Sequence, residues 1–176
     1  MKNIFLVYLL SLFSLQAAAE VTSAELFKTI NERLSYMEDV ALFKAKNHRP
    51  IEDIQREKIV IEKAKEFASQ QGFAPEIIQD FFHAQISVAK AIQYRYRADL
   101  LSQPSSRQPR ALDKEVRPAL IRLGNQIILQ MAAYCKNHGK FQQTQFTEFN
   151  EAITVKYVAE TDKQLLFKAL LKVKIK

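Results

Sequence analysis

Residues spaced by three and four recur along nearly the whole chain, and this period most limits what it can fold into. Leu26, Ile30, Leu34, Met37 and Ala41 form one such line. Ile78, Phe82, Gln85, Ala89 and Gln93 form another, apolar at its start and amide at its end. Leu112, Val116, Leu120, Leu123, Ile127 and Met131 form a third. Steps of three and four return a side chain to one face of an α-helix, whereas a half-buried strand needs alternation. Glycine, which tight hairpins favour, occurs only three times in 176 residues. With hairpin signals nearly absent, the pattern predicts an all-α fold.

Capping and breaking residues divide the pattern into about six helices. The first is expected from Thr22 or Ser23, where Thr22 and Glu25 have capping-box spacing. It should run unbroken for roughly seven turns until "NHRP", where Pro50 disfavours helix at Arg49. The second is expected to begin near Pro50 or Ile51, with Glu52 and Asp53 in its first turn, where acids suit the helix dipole. Val60, Ala64, Phe67 and Ala68 mark its buried side, and Gly72 is a natural C-cap. The third starts around Pro75 and Glu76. Residues 101–110, within "LLSQPSSRQPR", read as a polar loop. In the fourth helix Pro118 marks either a start or a kink, and "KNHGK" closes it. From Phe141 onward two shorter helices are expected, with Thr161–Asp162 as break and cap, although "ITVKYVA" is rich in β-branched residues. No internal repeat is visible.

The first nineteen residues follow different rules. Lys2 provides a positive start, Ile4 to Leu15 an apolar run, and Ala17-Ala18-Ala19 a small-residue cleavage site before Glu20. This is the pattern of a secretory signal peptide at residues 1–19. The run is short for a membrane span, no later segment is apolar enough to be one, and no cysteine stands where a lipid anchor would be added. The remaining residues, 20–176, suffice for one domain with a substantial core. A first half at 20–100 is joined by the loop to a second half at 111–176. Cys135 is the only cysteine, so the fold holds without an internal disulfide, and among Ala132, Ala133 and Tyr134 it reads as a buried packing thiol. The formal net charge of +7 falls to +6 without Lys2. Apart from the terminal "LLKVKIK", the basic residues are interspersed with acids. That suits small anionic ligands as well as nucleic acid or a membrane surface.

The polar residues on the helical lines are the candidates for function. Arg33 and Lys44 stand eleven residues apart, a step that returns to within about 20° on a helix, so both project from one face. "RPIEDIQREK" adds Asp53, Arg56 and Glu57, and "AQISVAKAIQYRY" adds Gln93. Three cations and an amide converging from three helices suit a small dicarboxylate. Taken singly, Arg33 and Lys44 are ordinary solvated charges, and Asp53 and Glu57 ordinary helix-start acids. Gln93 is less ordinary, because a buried amide needs partners. His48, His83 and His138 have no metal-site spacing, and "YRYR" at 94–97 reads as exposed alternation.

The ordered set Arg33, Lys44, "IED" with Asp53, Arg56, Glu57 and "AIQY" with Gln93 resembles the all-helical chorismate mutases. The resemblance is to their secreted subclass, and it covers about residues 24–100. It implies rearrangement of chorismate to prephenate, a pericyclic reaction for which no nucleophile, metal or cofactor is expected. Lys44 and Gln93 match positions that donate to the breaking ether oxygen. Arg33 matches a carboxylate clamp, and Arg56 another cation of the same pocket. Asp53, through its backbone, and Glu57, through its carboxylate, match positions around the substrate hydroxyl. Ala89 stands where relatives often carry a hydroxyl side chain. Gln126 stands where a close secreted relative would supply a further arginine, with Arg122 one turn earlier on the same face as a substitute. The resemblance further implies a homodimer with each site inside one chain, located in the periplasm or secreted. Neither nucleic acid nor, after cleavage, membrane is an expected partner. The alternative is a non-catalytic helical binding protein or chaperone of the cell envelope.

Overall fold

Thr22 opens the first helix as its spacing predicts. Its Oγ1 accepts from the Glu25 N–H at 3.3 Å, while its own N–H donates to Glu25 Oε2 at 3.2 Å. The computed structural model describes residues 21–176, so the leader expected at residues 1–19 lies outside the described residues. Among the described residues seven α-helices follow in order: α1 (Ser23–Ser35), α2 (Met37–Lys46), α3 (Ile54–Gln70), α4 (Pro75–Ser102), α5 (Arg117–His138), α6 (Phe146–Ala152) and α7 (Glu160–Leu170). A π-helical turn at Leu112–Val116 leads into α5, and a 3-10 turn at Gln143–Gln145 leads into α6. The all-α expectation holds.

The long α4 is the spine, with α2, α3 and α7 packed along it, and α1 lies against α5. Leu26, Phe27, Ile30 and Leu34 of α1 are all fully buried, as their spacing requires. The tail helices complete the core through aromatic edges. Phe149 of α6 meets Phe27 at 5.1 Å and Phe167 of α7 at 5.3 Å between ring centres. Removing either buried ring would cost about 3–5 kcal/mol. Gly72 follows α3 with φ +90°, the conformation a C-terminal glycine supplies. Cys135 is buried, donates to the Val173 carbonyl at 3.8 Å, and has its pKa pushed up by burial to about 11, so it is a packing thiol.

Four boundaries differ from expectation, each for a local reason. The single first helix is interrupted at Tyr36, after Ser35 Oγ donates to the Glu32 carbonyl at 2.7 Å and tightens the last turn of α1. The second begins at Ile54 rather than near Pro50, because Asp53 takes the N-cap and its Oδ1 accepts the Arg56 N–H at 3.1 Å. For Pro118 the structure selects the start: it lies in the first turn of α5, where its missing N–H matters least. The break in the tail falls at Ile153–Ala159, not at Thr161–Asp162. The β-branched stretch is non-helical, and Asp162 serves inside α7, accepting the Ala159 N–H at 2.8 Å.

The loop between α4 and the π-helical turn is tied down by one buried acid. Asp39 of α2 is only 3% exposed. It accepts from Arg107 Nη1 and Arg110 Nε, each at 2.5 Å, and from the Arg110 N–H at 3.2 Å. The Arg110 guanidinium also lies 4.1 Å from the Tyr36 ring centre. This strap fixes the approach of α5 to the site.

Candidate active site

Because α2 and α3 pack on α4 while α1 and α3 pack on α5, their polar residues converge on one cavity of about 160 Å³. Arg33 comes from the last turn of α1, Lys44 from the last turn of α2, and Gln93 and Ala89 from α4. Asp53, Arg56 and Glu57 come from the cap and first turn of α3. All seven line the cavity. Its full charged lining is Arg33, Lys44, Arg56, Lys63, Lys90 and Arg117 against Asp53 and Glu57, six cations to two acids. A site so unbalanced is suited to an anion of more than one charge.

Arg33 carries the strongest signal. It is only 6% exposed. Its Nη1 donates to Gln85 Oε1 at 3.1 Å, its Nε is buried with no partner, and the Phe82 ring lies 5.8 Å from the guanidinium. Among the described residues no carboxylate pairs with it. Burial alone pulls its pKa down from the ordinary arginine value to about 10, so it remains charged at neutral pH. A buried cation without a counter-ion is costly to the fold, and an anionic ligand would relieve that cost.

Lys44 is half-buried, and its Nζ donates to the Ile51 carbonyl. Burial lowers its pKa below 10.5, against the opposing pull of Asp53, Glu57 and Glu52. Glu57 Oε2 pairs with Lys90 Nζ at 3.1 Å, and Glu57 Oε1 receives the Asp53 N–H over a long 3.4 Å. The Asp53 carboxylate is engaged in capping α3, leaving its backbone N–H weakly held. The half-buried Arg56 side chain has no ion pair among the described residues.

Gln93 is buried, 5% exposed, and its Oε1 has no partner. Its Nε2 donates to the Ala89 carbonyl at 3.1 Å and to the Met37 sulfur at 3.7 Å. The thioether is a weak acceptor, so that second hydrogen is available to a better one. Ala89 contributes a carbonyl and a small wall, with no hydroxyl.

The α5 side corrects the expectation. Arg122 and Gln126 are both exposed and line no part of the cavity. Leu120 and Gly124 face it, and residues two positions beyond each lie roughly 200° around the helix. The cation that α5 does supply is Arg117, one turn before Leu120 on the same face. It lies 3.9 Å from Asp53 Oδ2 and pairs with Asp113. Sequence reasoning missed it, although its three-residue step to Leu120 was a readable signal.

Comparison with known proteins points the same way. Residues 17–94 match the family model described as chorismate mutase type II. The chain is 43% identical over 148 residues to a secreted chorismate mutase of Yersinia pestis, covering 84% of this chain and 79% of that protein. It is 34% identical over 154 residues to a monofunctional chorismate mutase of Enterobacter agglomerans, covering 88% of this chain and 84% of that protein. The crystal structure of secreted chorismate mutase from Yersinia pestis superposes with a TM-score of 0.80 at 40% identity. That match covers 86% of this chain and 98% of the other.

Proposed function

The chain belongs to the chorismate mutase family and rearranges chorismate to prephenate, and we propose that it does so in the α1–α5 cavity by holding the substrate dianion compact. The observation that carries this reading is Arg33, buried at the cavity wall with its charge unneutralised.

The rearrangement breaks an ether bond while a carbon–carbon bond forms, without an intermediate. Its barrier has two parts that a protein can lower. The open-chain enolpyruvyl group must be brought over the ring, and charge develops on the ether oxygen as the bond breaks. Arg33 clamps one carboxylate, where a planar fork with an unpaired Nε–H offers two donors. Arg56 and Arg117 serve the second carboxylate from α3 and α5. Lys44 Nζ and the Gln93 amide N–H donate to the ether oxygen. Glu57 accepts the substrate hydroxyl, whose oxygen takes the Asp53 N–H in place of the long 3.4 Å contact. None of these groups gains or loses a proton during the reaction.

The enzyme acts outside the cytoplasm. The Yersinia pestis relative is described as secreted, and residues 1–19 have the leader pattern, with cleavage near Ala19–Glu20. The N-terminal sequence of exported protein tests this. The chain pairs as a homodimer with a complete site in each copy, which light scattering of the mature protein would test. A non-catalytic envelope-binding role is not favoured, because the relatives bear the mutase name. The deciding experiment mixes purified residues 20–176 with chorismate and follows its loss against prephenate formation. Matched loss and gain are expected, and folded protein without turnover would overturn the proposal.

A further inference from the structure

Gln85 stands on α4 two turns before Gln93 and is completely buried. Its Oε1 accepts from Arg33 Nη1 at 3.1 Å, the one hydrogen bond this guanidinium makes among the described residues. Arg33 Nε and Gln85 Nε2 are both buried without partners. Both are donors, so whatever completes this corner of the site is an acceptor. The side chain that holds Arg33 is therefore itself neutral, in a place where a carboxylate of the same shape would fit.

We propose that Gln85 is a positioning residue, which fixes the Arg33 guanidinium through a neutral amide oxygen and so leaves its full charge for a substrate carboxylate. This rests on the reading of Arg33 as the carboxylate clamp. The choice of amide follows from what the alternatives would do. A glutamate here would form a buried, charge-assisted pair with Arg33, shorter and about twice as strong as the present bond, and would compete with the substrate. An apolar residue would leave the guanidinium unheld over Phe82, free to adopt geometries in which its fork misses the ligand. An amide orients without neutralising.

The test is steady-state kinetics with chorismate on Gln85→Glu, Gln85→Leu, Arg33→Ala and the double variant Arg33→Ala/Gln85→Glu, each checked for helicity. A clamp acts on bound substrate and transition state alike, so its loss appears in KM. Gln85→Glu should raise KM roughly 10–100-fold, the worth of a charge-assisted contact, while kcat stays within about threefold. Gln85→Leu should raise KM by a smaller factor, which keeps the proposal testable if the glutamate variant does not fold. In the Arg33→Ala background, adding Gln85→Glu should change KM no further, as a residue acting through Arg33 requires. A folded Gln85→Glu protein with unchanged KM, or equal KM increases with and without Arg33, would overturn the proposal. If instead Arg33→Ala alone leaves KM unchanged, the clamp reading itself fails, and the proposal fails with it for a separate and visible reason.

Discussion

A cation held in the protein interior for its ligand should make the empty enzyme less stable than it could be, and the double replacement Arg33→Met/Gln85→Leu measures by how much. Burial takes the Arg33 pKa from the ordinary arginine value down to about 10. Each tenfold in a protonation equilibrium is about 1.4 kcal/mol, so holding the charged form costs on the order of 3 kcal/mol. The sign follows from the direction of the shift. A base whose folded pKa is depressed destabilises the fold fully at every pH below that value, and the cost eases only as pH rises through about 10 and beyond. At neutral pH the whole amount is therefore present. Arg33→Met alone would orphan Gln85 Oε1 at about 1–3 kcal/mol, which is why Gln85→Leu is added. Both substitutions roughly conserve volume, and the Arg33 replacement keeps an apolar neighbour for Phe82, with little packing cost. The net expectation is about 2–3 kcal/mol of added stability, or roughly 5–10 °C in Tm for a chain of this size. Thermal and urea unfolding at neutral pH would read it. A bicyclic dicarboxylate mimic of the transition state should raise the Tm of the native enzyme and barely move that of the variant. A variant that melts lower than native protein would refute the claim that Arg33 is a stability liability retained for binding.

Lys44→Ala should lower kcat by roughly 10³-fold, the scale of losing one preorganised donor at a developing oxyanion, with unchanged far-UV circular dichroism. Because burial lowers the Lys44 pKa below 10.5, the native rate should stay nearly flat through the neutral range and begin to fall on the alkaline side below that value, as the ammonium is lost. Gln93→Glu should behave differently, with a rate that falls as pH rises through the neutral range, since a carboxyl donates to the ether oxygen only while protonated. A flat profile for that variant would remove Gln93 from the ether oxygen. Asp39→Asn should cost about 2 kcal/mol and speed tryptic cleavage after Arg107 and Arg110, which the Asp39 carboxylate holds. Burial raises the Asp39 pKa, but the Arg110 and Arg107 hydrogen bonds outweigh it and leave the value below 3.8. The stability it contributes is thus present above the ordinary carboxylate range and lost as pH falls below it.

The helices and the first part of the site were readable because both rest on helical phase. Arg33 and Lys44 reach one cavity because their eleven-residue step survives the one-residue interruption at Tyr36, and Gln93 joins them because steps of three and four carry its line along α4. What escaped depends on side chains competing with backbone. The Ser35 hydroxyl tightens the end of α1, the Asp53 carboxylate moves the start of α3, and neither effect appears in an apolar pattern. The resemblance places Arg122 and Gln126 at the site, yet neither shares a helix face with Leu120. Phase alone would have excluded them and selected Arg117, although the π-helical turn just before α5 hides where that phase begins. In the tail, β-branched residues prevail over helical spacing at Ile153–Ala159. Gln85 lay in plain view on its apolar line, but its partner was Arg33, fifty-two residues away.

The central claim is that the cation without a counter-ion, and the two donors across from it, are arranged around a compact dianion. The most direct measurement is a crystal structure with a bicyclic dicarboxylate mimic of the transition state bound. It should show one carboxylate within hydrogen-bond distance of the Arg33 guanidinium, including its Nε–H, and the ether oxygen within reach of both Lys44 Nζ and the Gln93 amide nitrogen. A mimic bound in the cavity with Arg33 still held only by Gln85, or with its ether oxygen turned away from Lys44 and Gln93, would contradict the account.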